Sequence, residues 1–448
     1  MRPSNFLKGF FAFILVSGAL SLMAQQPAIN YWRPWNQKGV NVFETPKEDA
    51  GEFEGTKVRI GGAFTQQYQS LTHTNNAIEK LDANGKNLNE LYPLGPGFNL
   101  ATANLNIDVQ LGDGIRLALE NYMSSRHHSE FWVKGGYIQF DKLPFLGNPK
   151  FFSDYITLKV GHMEVNYGDQ HFRRTDNGNS FFNPFVGNTI MDAFATEIGG
   201  EAYFKHPSGI IAMFGMTAGL INGDVRDYGD PDAEKGLYTK GPSIYGKLAF
   251  DKNFNEDFRL RLSASHYRNN NTIRNTLYSG DRTGSRFYLP MENVLAAAGT
   301  QFTSGRFNPG FNNQISATMI NALIKFKGIE LFGTYETASG LAGADTDGAR
   351  RTFGQFSAEL TYRFLKNEQL FVAGRYNSAS GTSNLKDANG AFIDVSINRI
   401  EAALGWYVTK NLLAKVAYVT QDYVDFPNSD IRSEGNFNGF MIEAAVGF

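Results

Sequence analysis

Apolar and polar residues alternate without a break along 99–111. Ala101, Ala103, Leu105, Ile107, Val109 and Leu111 stand against Thr102, Asn104, Asn106, Asp108 and Gln110. A period of two puts each set on its own face of a β-strand. After a tight turn at 112–114 the pattern resumes, with Ile115, Leu117 and Leu119 opposing Arg116, Ala118 and Glu120. It returns at 258–268, where Phe258, Leu260, Leu262 and Ala264 oppose Arg259, Arg261, Ser263 and Ser265. One such strand fits a soluble sandwich equally well. Repetition narrows the choice.

Roughly 16 segments carry this signal: about 57–71, 99–111, 115–125, 129–141, 155–166, 193–205, 209–221, 242–250, 258–268, 313–327, 329–338, 352–364, 370–379, 393–408, 412–422 and 436–448. Most come close to the length of about 9–11 residues that a tilted strand needs to cross a bilayer. Segment 129–141 supports two phases, since Phe131, Val133 and Tyr137 compete with Trp132, Ile138 and Phe140 for the apolar face. The connections alternate in length. Short ones fall near 112–114, 206–208, 251–257, 328, 365–369 and 409–411, with 142–154 somewhat longer. Long ones fall near 72–98, 167–192, 222–241, 269–312, 339–351, 380–392 and 423–435. This layout predicts an all-β fold, a transmembrane antiparallel up-and-down β-barrel with both chain ends at the short-turn rim. A closure of about 16 strands leaves a water-filled channel, whereas about eight fill with side chains.

The last segment places Phe440, Ile442, Ala444, Val446 and Phe448 on one face, and the sequence stops inside it. Such a strand leaves no edge only if it pairs on both sides, as in a closed barrel. The terminal Phe448 resembles the assembly signal of bacterial outer-membrane barrels, which implies the barrel-assembly machinery as a partner.

Arg2 and Lys8 precede and open an apolar stretch at 10–23 that is followed by Ala24 and Gln25, the pattern of a signal peptide over 1–24. Its removal takes two of 42 basic residues and none of 44 acidic ones, leaving a formal charge of −4. That balance lacks the basic surface a nucleic-acid partner needs. No later apolar run is long enough for a membrane helix. Aromatics at 14%, 47 glycines and only 19% charged residues fit strands that meet outer-membrane lipid. The barrel is expected over 57–448. The irregular, aromatic segment 25–56 reads as a periplasmic arm, either lying along the barrel base, tucked into the lumen, or docking a periplasmic partner.

Competing chemistry is thin. Residues 241–247 match Gly-x4-Gly-Lys, but Leu248 stands where a phosphate-binding loop needs Ser or Thr. His127 and His128 have no second ligand cluster nearby, and Asp251, Asn253 and Asn255 open like a calcium loop that lacks its required glycine. The chain has no cysteine. No cofactor, metal or catalytic residue is expected. A structural barrel within an envelope complex and a hydrolase, whose Ser/His or Asp/His site folding alone would assemble, are the alternatives to a pore.

The stretch Tyr167, Gly168, Asp169, Gln170, His171, Phe172, Arg173, Arg174, Thr175, Asp176, Asn177, Gly178, Asn179, together with 39–49, resembles Bacteroidota-type outer-membrane porins and, more loosely, the phosphate-selective porin O/P group. The resemblance implies a channel for passive diffusion of small hydrophilic solutes or ions. Phosphate selectivity does not follow, because no basic ladder matches residue by residue. A homotrimer is the expected assembly.

The inward register carries Arg116, Lys159, Arg259, Arg261, Arg363 and Arg375 with Glu120, Glu197 and Glu201. Loop 167–192 is expected to fold into the lumen, pinned by Phe181, Phe182, Pro184 and Phe185. There Arg173, Arg174, Asp169 and Asp176 would front the constriction.

Overall fold

Alternation becomes a wall. The computed structural model describes residues 26–45, 47, 52–126, 131–223, 225, 241–280, 286–297, 299–343, 345 and 349–448. The expected signal peptide and the His127–His128 pair lie outside them. Sixteen long strands follow one another: β1 (Lys57–Thr74), β2 (Thr102–Gly112), β3 (Ile115–Ser124), β4 (Phe131–Phe140), β5 (Ile156–Glu164), β6 (Thr196–Lys205), β7 (Ile210–Thr217), β8 (Ser243–Asn253), β9 (Phe258–Asn269), β10 (Gln314–Phe326), β11 (Ile329–Leu341), β12 (Arg351–Phe364), β13 (Leu370–Lys386), β14 (Phe392–Thr409), β15 (Leu412–Val424) and β16 (Asn436–Gly447). Each pairs antiparallel with its sequence neighbours, and β1 closes the ring on β16, with Ala63 opposite Gly447 and Thr74 opposite Asn436. A two-residue piece, Gly97–Phe98, adds to the β1 seam opposite Tyr68 and Gln69. Phe448 completes that seam through two backbone bonds with Gly62, at 3.0 and 3.1 Å.

Burial runs opposite to that of a soluble protein. On β14 the outward Ile400, Leu404 and Trp406 are each about half exposed, while the inward Arg399 and Glu401 are buried. The same inversion recurs on β9, where Leu262 is exposed and Arg261 is fully buried. Apolar outside and polar inside is the arrangement a hydrocarbon surround stabilises, with every strand edge paired.

Strand height varies around the ring. From β4 to β7 the strands have 10, 9, 10 and 8 residues, whereas β12 to β14 have 14, 17 and 18. The two phases expected of segment 129–141 both occur. Glu120 pairs with Gly135 and Asn121 with Val133, so Lys134 is the extra residue of a β-bulge. The outward set changes there from Phe131 and Val133 to Ile138, and the bulge turns Lys134 inward.

Candidate functional site

Loop 165–195 leaves β5 and runs inside the barrel. At Gly168 the backbone takes φ +69, and a Cβ there would sit 2.1 Å from Met319 Sδ, so the entry turn needs glycine. Phe181, Phe185, Val186, Ile190 and Met191 are buried in one cluster with the inward Tyr407, Phe371 and Ala317 of the wall. Asn183 donates to Gly187 O at 3.0 Å and to Thr175 Oγ1 at 3.1 Å, holding the loop to itself. The expected inward fold of this loop, with its aromatic anchor, is the arrangement found.

The loop is moored by charge. Asp169 accepts from both arms of the Arg261 guanidinium at 2.7 Å, and from Ser263 at 2.7 Å, with Lys247 at 3.2 Å. Arg173 pairs with Glu330 at 2.7 Å and Glu359 at 3.3 Å, and donates to Asn41. Arg174 grips Asp192 with two bonds of 2.7 Å. Arg375 joins Glu401 and Glu359 and donates to Gly187 O at 2.6 Å. Removing one partner from such a buried pair costs roughly 3–5 kcal/mol, because the other charge is left in a low dielectric.

The arm fills the short-turn end. Arg33 donates to Gly39 O and to Phe172 O at 2.9 Å and lies 3.8 Å over the Phe182 ring. Phe43 packs against Leu323, Phe332 and Phe172. Glu44 meets Arg261 at 2.8 Å and Lys247 at 3.3 Å. Residues 26–45 thus lie against the loop and the inward side chains of the wall. Lys247, the lysine of the Gly-x4-Gly-Lys match, is thereby a buried anchor on β8.

Two hollows remain along the low side of the wall. A vestibule of about 460 Å³ toward the long loops is lined by Tyr122, Trp132, Phe194, Phe302 and Arg274 among others. An inner cavity of about 140 Å³ lies beneath, bounded by β3–β6, the loop and the arm. Lys134 lines both. Its Nζ lies 2.9 Å from Glu120, 2.9 Å from Glu164 and 2.7 Å from Asp176. Tyr122, which faces the vestibule, donates to Asp176, which faces the inner cavity. Arg174 lies 4.3 Å over the Phe194 ring, bridging the same partition. His171 touches Glu164 at 2.7 Å on the inner side. The partition thus holds the Lys134 ammonium among three carboxylates, one of which, Asp176, also meets Arg174 at 3.4 Å.

The residues expected to line a pore divide in two. Arg116, Glu120, Lys159, Arg174 and Asp176 line the inner cavity. Arg173, Asp169, Glu197, Glu201, Arg259, Arg261, Arg363 and Arg375 do not. Arg173 and Arg174, expected as cations facing water, are 2% and 1% exposed. Arg259 chelates Asp251 at 2.7 and 2.8 Å, and Arg363 pairs with Glu330 at 3.3 Å. Glu197 accepts from Thr217 and Tyr267, and Glu201 from Tyr203 and Tyr245. Inward register placed them correctly on the wall, but loop and arm cover them. Lys134, Glu164 and His171 were absent from the expected set. The signal for Lys134 was the phase conflict in segment 129–141. Among the described residues no group of three or more His, Cys, Asp or Glu side chains is arranged to hold a metal ion.

Comparison with known proteins places this geometry in a class. No family model matches the chain, and no curated protein matches it in sequence. Among solved structures, the anion-selective porin from Comamonas acidovorans is similar with a TM-score of 0.51 at 11% identity, covering 88% of this chain and 100% of that one. The outer membrane channel DcaP of Acinetobacter baumannii gives 0.49 at 10% identity, covering 89% and 99%. OmpT of Vibrio cholerae gives 0.47 at 11% identity, covering 89% and 99%. The fold is a closed, 16-strand antiparallel β-barrel, similar in architecture to that of the Comamonas acidovorans porin.

Proposed function

We propose that this protein is an outer-membrane porin that lets small hydrophilic solutes or ions diffuse passively, without cofactor or catalysis. The observation that carries the reading is the meeting of two hollows at Lys134, inside a closed wall whose outer face is apolar. In this reading both ends lie in the periplasm, the arm enters the lumen from that side, 1–24 is a leader, and the chain sits among Bacteroidota-type porins, loosely like the phosphate-selective O/P group. A homotrimer is its assembly, with the barrel-assembly machinery as its insertion partner. The filling of the lumen by loop and arm supports a second reading, a scaffold barrel of an envelope complex. Single-channel recording of the purified full chain in a planar bilayer separates them. Small, stable steps are expected; a folded barrel that conducts nothing supports the scaffold.

A further inference from the structure

Six residues of the arm, Trp32, Arg33, Trp35, Phe43, Glu44 and Thr45, form part of the lining of the inner cavity. The arm therefore floors the only hollow that Lys134 connects to the vestibule among those described. It is held along its length by side-chain and backbone contacts rather than by strand pairing, among them Trp32 to Asp108 at 3.0 Å and Lys47 to Asp141 O and Ile156 O at 2.7 Å. Gln37 N–H donates to Lys410 O at 3.1 Å and its side chain to Asn367 O at 2.9 Å, both on short turns. Asn41 joins Glu330 and Arg173, so arm, wall and loop share one node. Glu44, Arg261 and Asp169 make a second such node.

The arm also carries features that favour release. Tyr31 and Asn41 both hold φ of 57°, a left-handed backbone that a tyrosine adopts only when its surroundings impose it. Burial, against the raising pull of Glu164 and helped by neighbouring Arg173, draws the Arg33 guanidinium down to about 9. Its charge is thus less well compensated than that of Glu44, which two cations hold well below the usual carboxylate range despite burial.

We infer that residues 26–45 are an autoinhibitory strap: docked, they narrow the short-turn mouth of the passage to a low-conductance state, and undocked they open it. This rests on the porin reading. The strap and the loop meet at Arg33, Phe172 and Phe182, so its departure also frees one side of the loop to shift.

The test compares three forms of the full chain in planar bilayers with potassium chloride as the probe. The first is unaltered, and the second lacks residues 26–45. The third carries Gln37→Cys with Lys410→Cys, a lock made clean by the absence of native cysteine. Deletion is expected to raise single-channel conductance roughly threefold or more, with loop 165–195 still narrowing the lumen. The oxidised lock is expected to hold the low level and abolish brief large openings, which reduction restores. A folded deletion variant with unaltered conductance overturns the inference while leaving the porin reading intact. If unaltered and deleted forms both fold and neither conducts, the porin reading itself falls. Should deletion prevent folding, Arg33→Ala with Glu44→Gln decides: more frequent large openings support the strap, and an unchanged record overturns it.

Discussion

In the proposed pore, Lys134 stands where the vestibule meets the inner cavity. Its ammonium offsets part of the charge of Glu120, Glu164 and Asp176 at the partition between vestibule and inner cavity. In Lys134→Met those carboxylates lose their shared ammonium, while Asp176 keeps Arg174 and Glu164 keeps His171 as neighbours. An energy change of about 1 kcal/mol for a passing ion corresponds to about a fivefold change in permeability ratio. The reversal potential in a salt gradient is therefore expected to move toward cations by at least that ratio; no movement would remove Lys134 from the path. Arg174 predicts a different kind of effect. Its guanidinium is chelated by buried Asp192, so Arg174→Ala should destabilise the loop by roughly 3–5 kcal/mol and lower the temperature at which the folded band unfolds on gels. A selectivity change without lost stability would contradict that assignment. Residue type and register could not separate these two roles, because both side chains are basic and both lie within the barrel. Only the partners distinguish them.

At the scale of elements, the strands were legible and the filling was not. Period two fixed the bounds of β2, β3 and β9 to within a few residues, because a single-residue slip would turn apolar side chains inward. Segment 129–141 resisted a single phase for a physical reason: its bulge at Lys134 changes the outward face midway. The aromatic and proline residues of loop 165–195 signalled an inward fold. How deeply it sits depends on wall partners far away in sequence, such as Glu330, Glu359 and Glu401, and no local pattern encodes those. The closing strand makes its own prediction. Phe448 contributes both seam bonds to Gly62, and its ring lies beside that residue. Deleting Phe448 is expected to reduce the heat-modifiable folded band in outer-membrane fractions. Full abundance after deletion would count against a role in closure or insertion.

For the whole molecule, the decisive feature is where its charges end up. A mixed ring of Arg and Glu on the inner wall reads naturally as a selectivity field across open water. Here much of that ring, from Arg261 through Arg363 to Arg375, is buried beneath loop and arm and paired. The two described hollows lie on the low side of the wall, between β3 and β6, so transport in the proposed pore is expected to be off-centre. Because the chain has no cysteine, single engineered thiols can map the path directly. Glu120→Cys lies at the partition, and Ser357→Cys faces inward on β12 but is buried under the loop. The most direct measurement is block of single-channel current by a charged, thiol-reactive reagent in these two variants. Rapid block at 120 with none at 357 is the predicted result; block at 357, or an unaffected current at 120, would contradict a passage along the Lys134 wall.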